Sequence, residues 1–112
     1  MSAEKLTLTD REACTICEAL TITIDNKDFY KGDARFAVNY PSVVMLSQKL
    51  EKTKKLTLSH NDLTAVMFSL AVAIETLQAM KADGTDYLPI DEVLLTDCMI
   101  LDERLARFLE LT

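Results

Sequence analysis

Two cysteines one helical turn apart, Cys14 and Cys17, are the residues of this chain best placed to do chemistry. Cys-x-x-Cys is the spacing of thiol redox and zinc sites. On a helix, residues i and i+3 share a face, so both sulfurs reach one metal ion or each other. Cys98 and the single histidine, His60, complete a Cys3His set on paper. The competing reading is packing. The pair falls after the first turn of a helix rather than at its amino end, where the dipole lowers a thiol pKa. Cys17 and Cys98 also lie on apolar stripes, and a buried cysteine behaves as a small hydrophobe. The pattern therefore favours core cysteines, with a zinc or redox site at Cys14, Cys17, Cys98 and His60 as the alternative.

Other combinations are thinner. Ser59, His60 and Asp62 contain the residue types of a hydrolytic triad, yet all three are explained as helix-cap residues. One histidine cannot supply the paired Glu-x-x-His ligands of a di-iron bundle. Two isolated glycines cannot make a phosphate loop. The five methionines read first as core filler. No cofactor is expected.

The stretch from Asp83 through Gly84, Thr85, Asp86, Tyr87, Leu88, Pro89, Ile90 and Asp91 to Glu92 resembles the later part of an EF-hand calcium loop. The resemblance makes Asp83 the third loop position, Thr85 the fifth, Tyr87 the carbonyl ligand, Leu88 the hydrophobic eighth and Glu92 the bidentate twelfth. Two positions depart from it. Lys81 stands where the first carboxylate belongs, and Asp86 where the turn glycine belongs. A cation in place of the leading acid removes calcium binding, so the resemblance implies at most a degenerate, metal-free helix-loop-helix. Leu8-Thr9-Asp10-Arg11-Glu12 also resembles the opening of some helix-turn-helix regulators, and a capping box accounts for the same residues.

The elements that must carry these residues are helices. Thr9 and Glu12 form a capping box, with Leu8 before it as a staple, and apolar positions 13, 16, 17, 20 and 24 predict a helix over about 10–26. Residues 27–40 read as a long connection containing four of the seven aromatics, with a short helical turn at 33–39 capped by Asp33. Pro41 suits the first turn of a second helix, about 41–54. Ser59 and Asp62 cap a third, which ends near Ala82 with Gly84 as its left-handed cap. Its Leu63–Ile74 stretch is apolar nearly all round, which marks a buried central helix. Pro89 and the acids after it open a fourth helix over about 90–110. Its expected core stripe is Val93, Leu94, Cys98, Leu101, Leu105 and Phe108.

A repeat organises the whole. Lys5-Leu6-Thr7-Leu8 returns fifty residues later as Lys55-Leu56-Thr57-Leu58, and the apolar positions of the first helix fall opposite those of the third. A fixed period of this kind marks two copies of one supersecondary unit. The expectation is one all-α domain, residues 1–112, a four-helix bundle of two duplicated helix-loop-helix hairpins (5–54 and 55–112). The two KLTL segments alternate with strand period and are expected to lie side by side as short extended pieces.

Composition narrows the function without naming it. A net charge of −6 opposes nucleic-acid binding, and the basic run Lys49, Lys52, Lys54 and Lys55 reads as a helix end. The longest charge-free stretch is shorter than the roughly 20 residues of a membrane span, and early charges leave no signal-peptide pattern. Three cysteines are an odd number for a disulfide framework, so a cytoplasmic location is expected. Leu95, Met99 and Leu109 fall off the core stripe of the fourth helix. With Phe29, Tyr30, Phe36 and Tyr40 they make the candidate interaction surface. The reading is a non-enzymatic interaction or regulatory module, self-associating as a homodimer.

Overall fold

The computed structural model describes residues 6–52, 57–84 and 86–111; for Leu6, Thr7, Lys52, Thr57, His60 and Leu111 it describes the backbone alone. In chain order the elements are β1 (Leu6–Thr7), α1 (Asp10–Asp25), α2 (Ala34–Lys52), β2 (Thr57–Leu58), α3 (His60–Asp83) and α4 (Pro89–Leu111). The four helices make an all-α bundle. α1 and α3 cross at its centre, α2 and α4 each pack on both of them, and among the described residues α2 and α4 do not touch.

Local signals explain where most helices start and stop. Thr9 and Ser59 accept hydrogen bonds from the amides of Glu12 and Asp62, whose carboxylates accept in turn from the Thr9 and Ser59 amides. Each box satisfies two orphan donors of a first turn. Each capping acid is also held from a neighbouring helix: Arg104 of α4 bonds Glu12, and Lys49 of α2 lies 3.5 Å from Asp62. Gly84 ends α3 at φ 73°, a conformation that a Cβ would strain.

The two strands pair antiparallel, with Leu6 opposite Leu58 and Thr7 opposite Thr57. Thr7 thus faces the residue fifty places on from itself, the register that a local twofold between the halves requires. Lys5, Lys55 and Leu56 of the KLTL pair lie outside the described residues. The core sits where α1 and α3 cross. Ile16, Ala19 and Leu20 meet Val66, Leu70 and Ala73, with Leu46 and Leu50 closing from α2 and Leu101 and Leu105 from α4. Full burial of each large aliphatic stabilises by about 1.5–3 kcal/mol.

The structure corrects three expectations. The second helix does not begin at Pro41: Asp33 caps it through the Phe36 amide at 3.1 Å, and it runs on through the proline. An interior proline costs about 3 kcal/mol in lost hydrogen bond and steric clash. One turn before it, Phe36 is buried against Phe68, which ties this part of α2 to α3. On α4, Leu95 is buried while Val93 is exposed, so the core stripe is turned toward Leu94, Leu95 and Cys98. Cys17 is exposed rather than in the core. The helix built around Leu63–Ile74 is also longer than that stretch: Asn61–Asp83, at a mean hydropathy of 1.6, is long and apolar enough to cross a membrane. In this fold it touches all three other helices, a position that suits apolarity all round.

Candidate functional site

The four thiol and imidazole candidates do not behave as one set. Cys14 and Cys17 are exposed on α1, whereas Cys98 is fully buried under α4. Burial and the nearby carboxylates of Asp97, Asp102 and Glu18 push the Cys98 thiol up to about 11, which keeps it protonated at neutral pH. Cys17 is raised as well, first by burial and then by Cys14 and by the acids Glu18 and Glu51. The His60 side chain lies outside the described residues. Among the described residues no three His, Cys, Asp or Glu side chains converge as metal ligands would.

The aromatic segment serves packing more than display. Tyr30 and Phe36 stack at 5.0 Å, Phe36 and Tyr40 at 5.4 Å, and Phe36 meets Phe68 of α3 edge-on at 5.7 Å. Tyr30 and Tyr40 are half-buried and Phe36 buried, so this ladder packs along the seam between α2 and α3 and narrows it to a hollow of about 120 Å³. Phe29 stands apart at 79% exposure. Met99 is exposed on α4, and Leu109 is partly buried against the core.

The calcium-loop resemblance meets an occupied acid. Glu92 accepts from the Lys81 ammonium at 2.8 Å through Oε1 and from the Tyr87 hydroxyl through Oε2. Lys81, at the first position of that register, therefore satisfies the twelfth. Asp86 holds the turn with φ 57°, where a glycine is easier. Thr85 lies outside the described residues. Loss of water contact and the bond to Glu92 push the Tyr87 phenol up to about 12, and Lys81 and Tyr87 together hold Glu92 below the usual carboxylate range.

The helices leave smaller hollows of about 120 and 220 Å³ beside the aromatic segment, and a larger opening in the seam between α1 and α4. α1 offers Cys14, Thr15 and Glu18 to it, α4 offers Ile90, Val93 and Leu94, and a hollow of about 330 Å³ lies between them. Arg11 clasps Asp97 across the seam with two bonds, at 2.9 and 3.2 Å. Beyond that clasp a second hollow of about 280 Å³ runs past Thr15 to Ile100. Ile90, Val93 and Ile100 border this groove at 71, 52 and 61% exposure. Compared with known proteins, the chain matches no family model, no curated protein and no solved structure. The seam's own chemistry must therefore speak for it.

That chemistry is apolar and acidic. Arg11 neutralises Asp97, but among the described residues neither Glu18 nor Asp91 has a basic partner; Asp91 accepts only the Leu88 amide, at 2.9 Å. Sequence reasoning missed this site. Its signal was present in Ile90, Val93, Asp97 and Ile100, which keep helical spacing beside the core stripe of α4.

Proposed function

We propose that this chain is a non-enzymatic interaction module, made of two copies of one helical hairpin, that recognises protein partners with its α1–α4 face. One observation carries the reading. Ile90, Val93 and Ile100 stand more than half exposed in helical register beside two hollows that the Arg11–Asp97 clasp separates along the seam. Large aliphatics scattered singly need no explanation, whereas a row of them beside a groove is what helix-in-groove recognition uses. Selection of helical peptides of unbiased charge against the wild-type chain, with counter-selection against Val93→Asp/Ile100→Asp, checks the proposal. Binders that require the wild-type face support it, and a selection yielding none sinks it. Removing a central contact of this kind costs about 2 kcal/mol, or roughly 30-fold in affinity.

Self-association belongs to the same reading and has a surface of its own. Val38, Pro41 and Met45 lie on the outward side of α2, with Val38 and Met45 among the most exposed large apolar residues described. A mass by light scattering that doubles with concentration, and stays monomeric in Met45→Asp, is the expected result. All three cysteines are free, which accords with the cytoplasmic location proposed from composition.

A further inference from the structure

The two halves of the bundle differ at the seam where a partner is proposed to dock. Fifty residues after Glu18 stands half-buried Phe68, whose ring packs on Phe36 in the α2–α3 seam and leaves there a smaller hollow, about 120 Å³. At the matching place in the α1–α4 seam, Glu18 supplies a short acidic side chain, and the 330 Å³ hollow lies there instead. An occupant must therefore bring an apolar side chain to do what Phe68 does in the other half. It must also meet acids: Glu18 and Asp91 flank the hollow without a basic partner among the described residues, on a chain of net charge −6.

We propose that the α1–α4 groove takes a basic amphipathic helix of another protein, its apolar edge seated between Cys14 and Val93 and its lysines or arginines set against Glu18 and Asp91. A second copy of this chain is the poorer fit. The arginines of α4 are engaged, Arg104 with Glu12 and Arg107 with Glu103 at 2.6 Å; of the four helices only α2 is net basic, its Lys49 is held by Asp62, and the copy it belongs to carries a net charge of −6. Like charges placed together at an interface count against it, whereas opposite charges speed encounter and select the partner.

This inference rests on the α1–α4 face being the recognition surface, and the test separates the two. Two synthetic helical peptides of about 18 residues, or five turns, share one apolar face and carry either lysine or glutamate on the polar face. Binding to the full chain is measured by fluorescence anisotropy, and the accessibility of the two exposed thiols by N-ethylmaleimide labelling read by mass spectrometry. The expected result has four parts. The lysine peptide binds at least about tenfold tighter than the glutamate peptide. That preference collapses at about 1 M salt, where the Debye length falls to about 3 Å. The preference reverses in Glu18→Lys. The bound lysine peptide slows labelling of Cys14, which lines the hollow, and leaves Cys17, which does not.

Equal binding of both peptides overturns the basic partner and leaves the docking face standing. Binding without protection of Cys14 overturns the groove as its place. Binding of neither peptide removes the recognition surface itself. A chain that protects its own Cys14 as its mass doubles overturns the proposal in favour of a second copy.

Discussion

Ser69→Ala should make this protein more stable, against the usual direction for a fully buried position. Ser69 sits at the crossing of α1 and α3 with no exposed surface, and among the described residues its hydroxyl finds no hydrogen-bond partner. A buried unsatisfied hydroxyl costs about 1–3 kcal/mol. Its removal leaves a gap on the order of 10 Å³, worth about 0.3 kcal/mol at roughly 24 cal/mol per Å³. Alanine also returns about 0.5 kcal/mol of helix propensity over serine. The balance is a gain of about 1 kcal/mol or more. The crossing already contains the experiment in part, since Ala19, fifty residues earlier, is buried in α1 at the matching place. Urea unfolding is the assay. With a slope of about 1.5 kcal/mol per molar for a domain of this size, the midpoint should rise by about 0.7 M. Ser69→Val is the control, because overfilling a close helix crossing costs about 1–3 kcal/mol. An unchanged or lower midpoint in Ser69→Ala would refute the reasoning, since the hydroxyl would then have a partner worth keeping.

Four further outcomes follow from the described contacts. Phe36→Ala should cost about 3–5 kcal/mol by opening the aromatic ladder, whereas Phe29→Ala should change stability by less than about 0.5 kcal/mol; equal losses would mean that both rings are packed alike. In the native protein at mildly alkaline pH, Ellman's reagent should modify the exposed Cys14 and Cys17, the latter slowed by its raised thiol, and Cys98 only after unfolding, because Cys98 is buried and its thiol is pushed up to about 11. Spectroscopic titration of the tyrosines should show one ionising near 12, and Glu92→Gln should bring it down by removing the carboxylate that opposes the phenolate. Burial raises Glu12, but its bonds from Thr9 and Arg104 outweigh that and leave its pKa below the ordinary value. A depressed folded pKa stabilises above the unfolded value and is lost as pH falls through the folded one, so Glu12→Gln should flatten the acid limb of the stability curve.

Much of the fold was legible because its signals are local. A capping box needs only Thr9 and Glu12, and a helix stop needs only Gly84, so α1 and α3 could be placed from short stretches of sequence. The cap of α2 was legible in Asp33, but its continuity through Pro41 was not. What holds its first turns is Phe36 against Phe68, residues 32 apart, and nothing near Pro41 announces that contact. The site was hidden for the same reason. Whether Val93 or Leu95 of α4 is covered depends on how the helix rolls against α1 and α3, and a difference of one residue turns it by about 100°. Cys17 shows the same limit, since a position inside an apolar pattern says which way a residue faces only once the neighbouring helix is placed.

The proposed duplication gives the groove its meaning. Where the halves agree, the agreement serves the fold: paired capping boxes, a strand register centred on Thr7 and Thr57, and small or medium side chains at the α1–α3 crossing. Two copies of a hairpin packed about a twofold should close both of their outer seams alike. They do not: beside Phe68 one seam keeps a hollow of about 120 Å³, and beside Glu18 the other keeps about 330 Å³. An acid at such a place gives up ring burial of the kind that Phe68 has in part. Full burial of such a ring contributes about 1.5–3 kcal/mol, and partial burial less. Glu18→Phe therefore poses the question directly. If the open seam exists for a partner, this substitution should raise the unfolding midpoint while abolishing capture of the lysine peptide. A variant that gains no stability would show that the seam is shaped by its backbone, and that the acid displaced nothing.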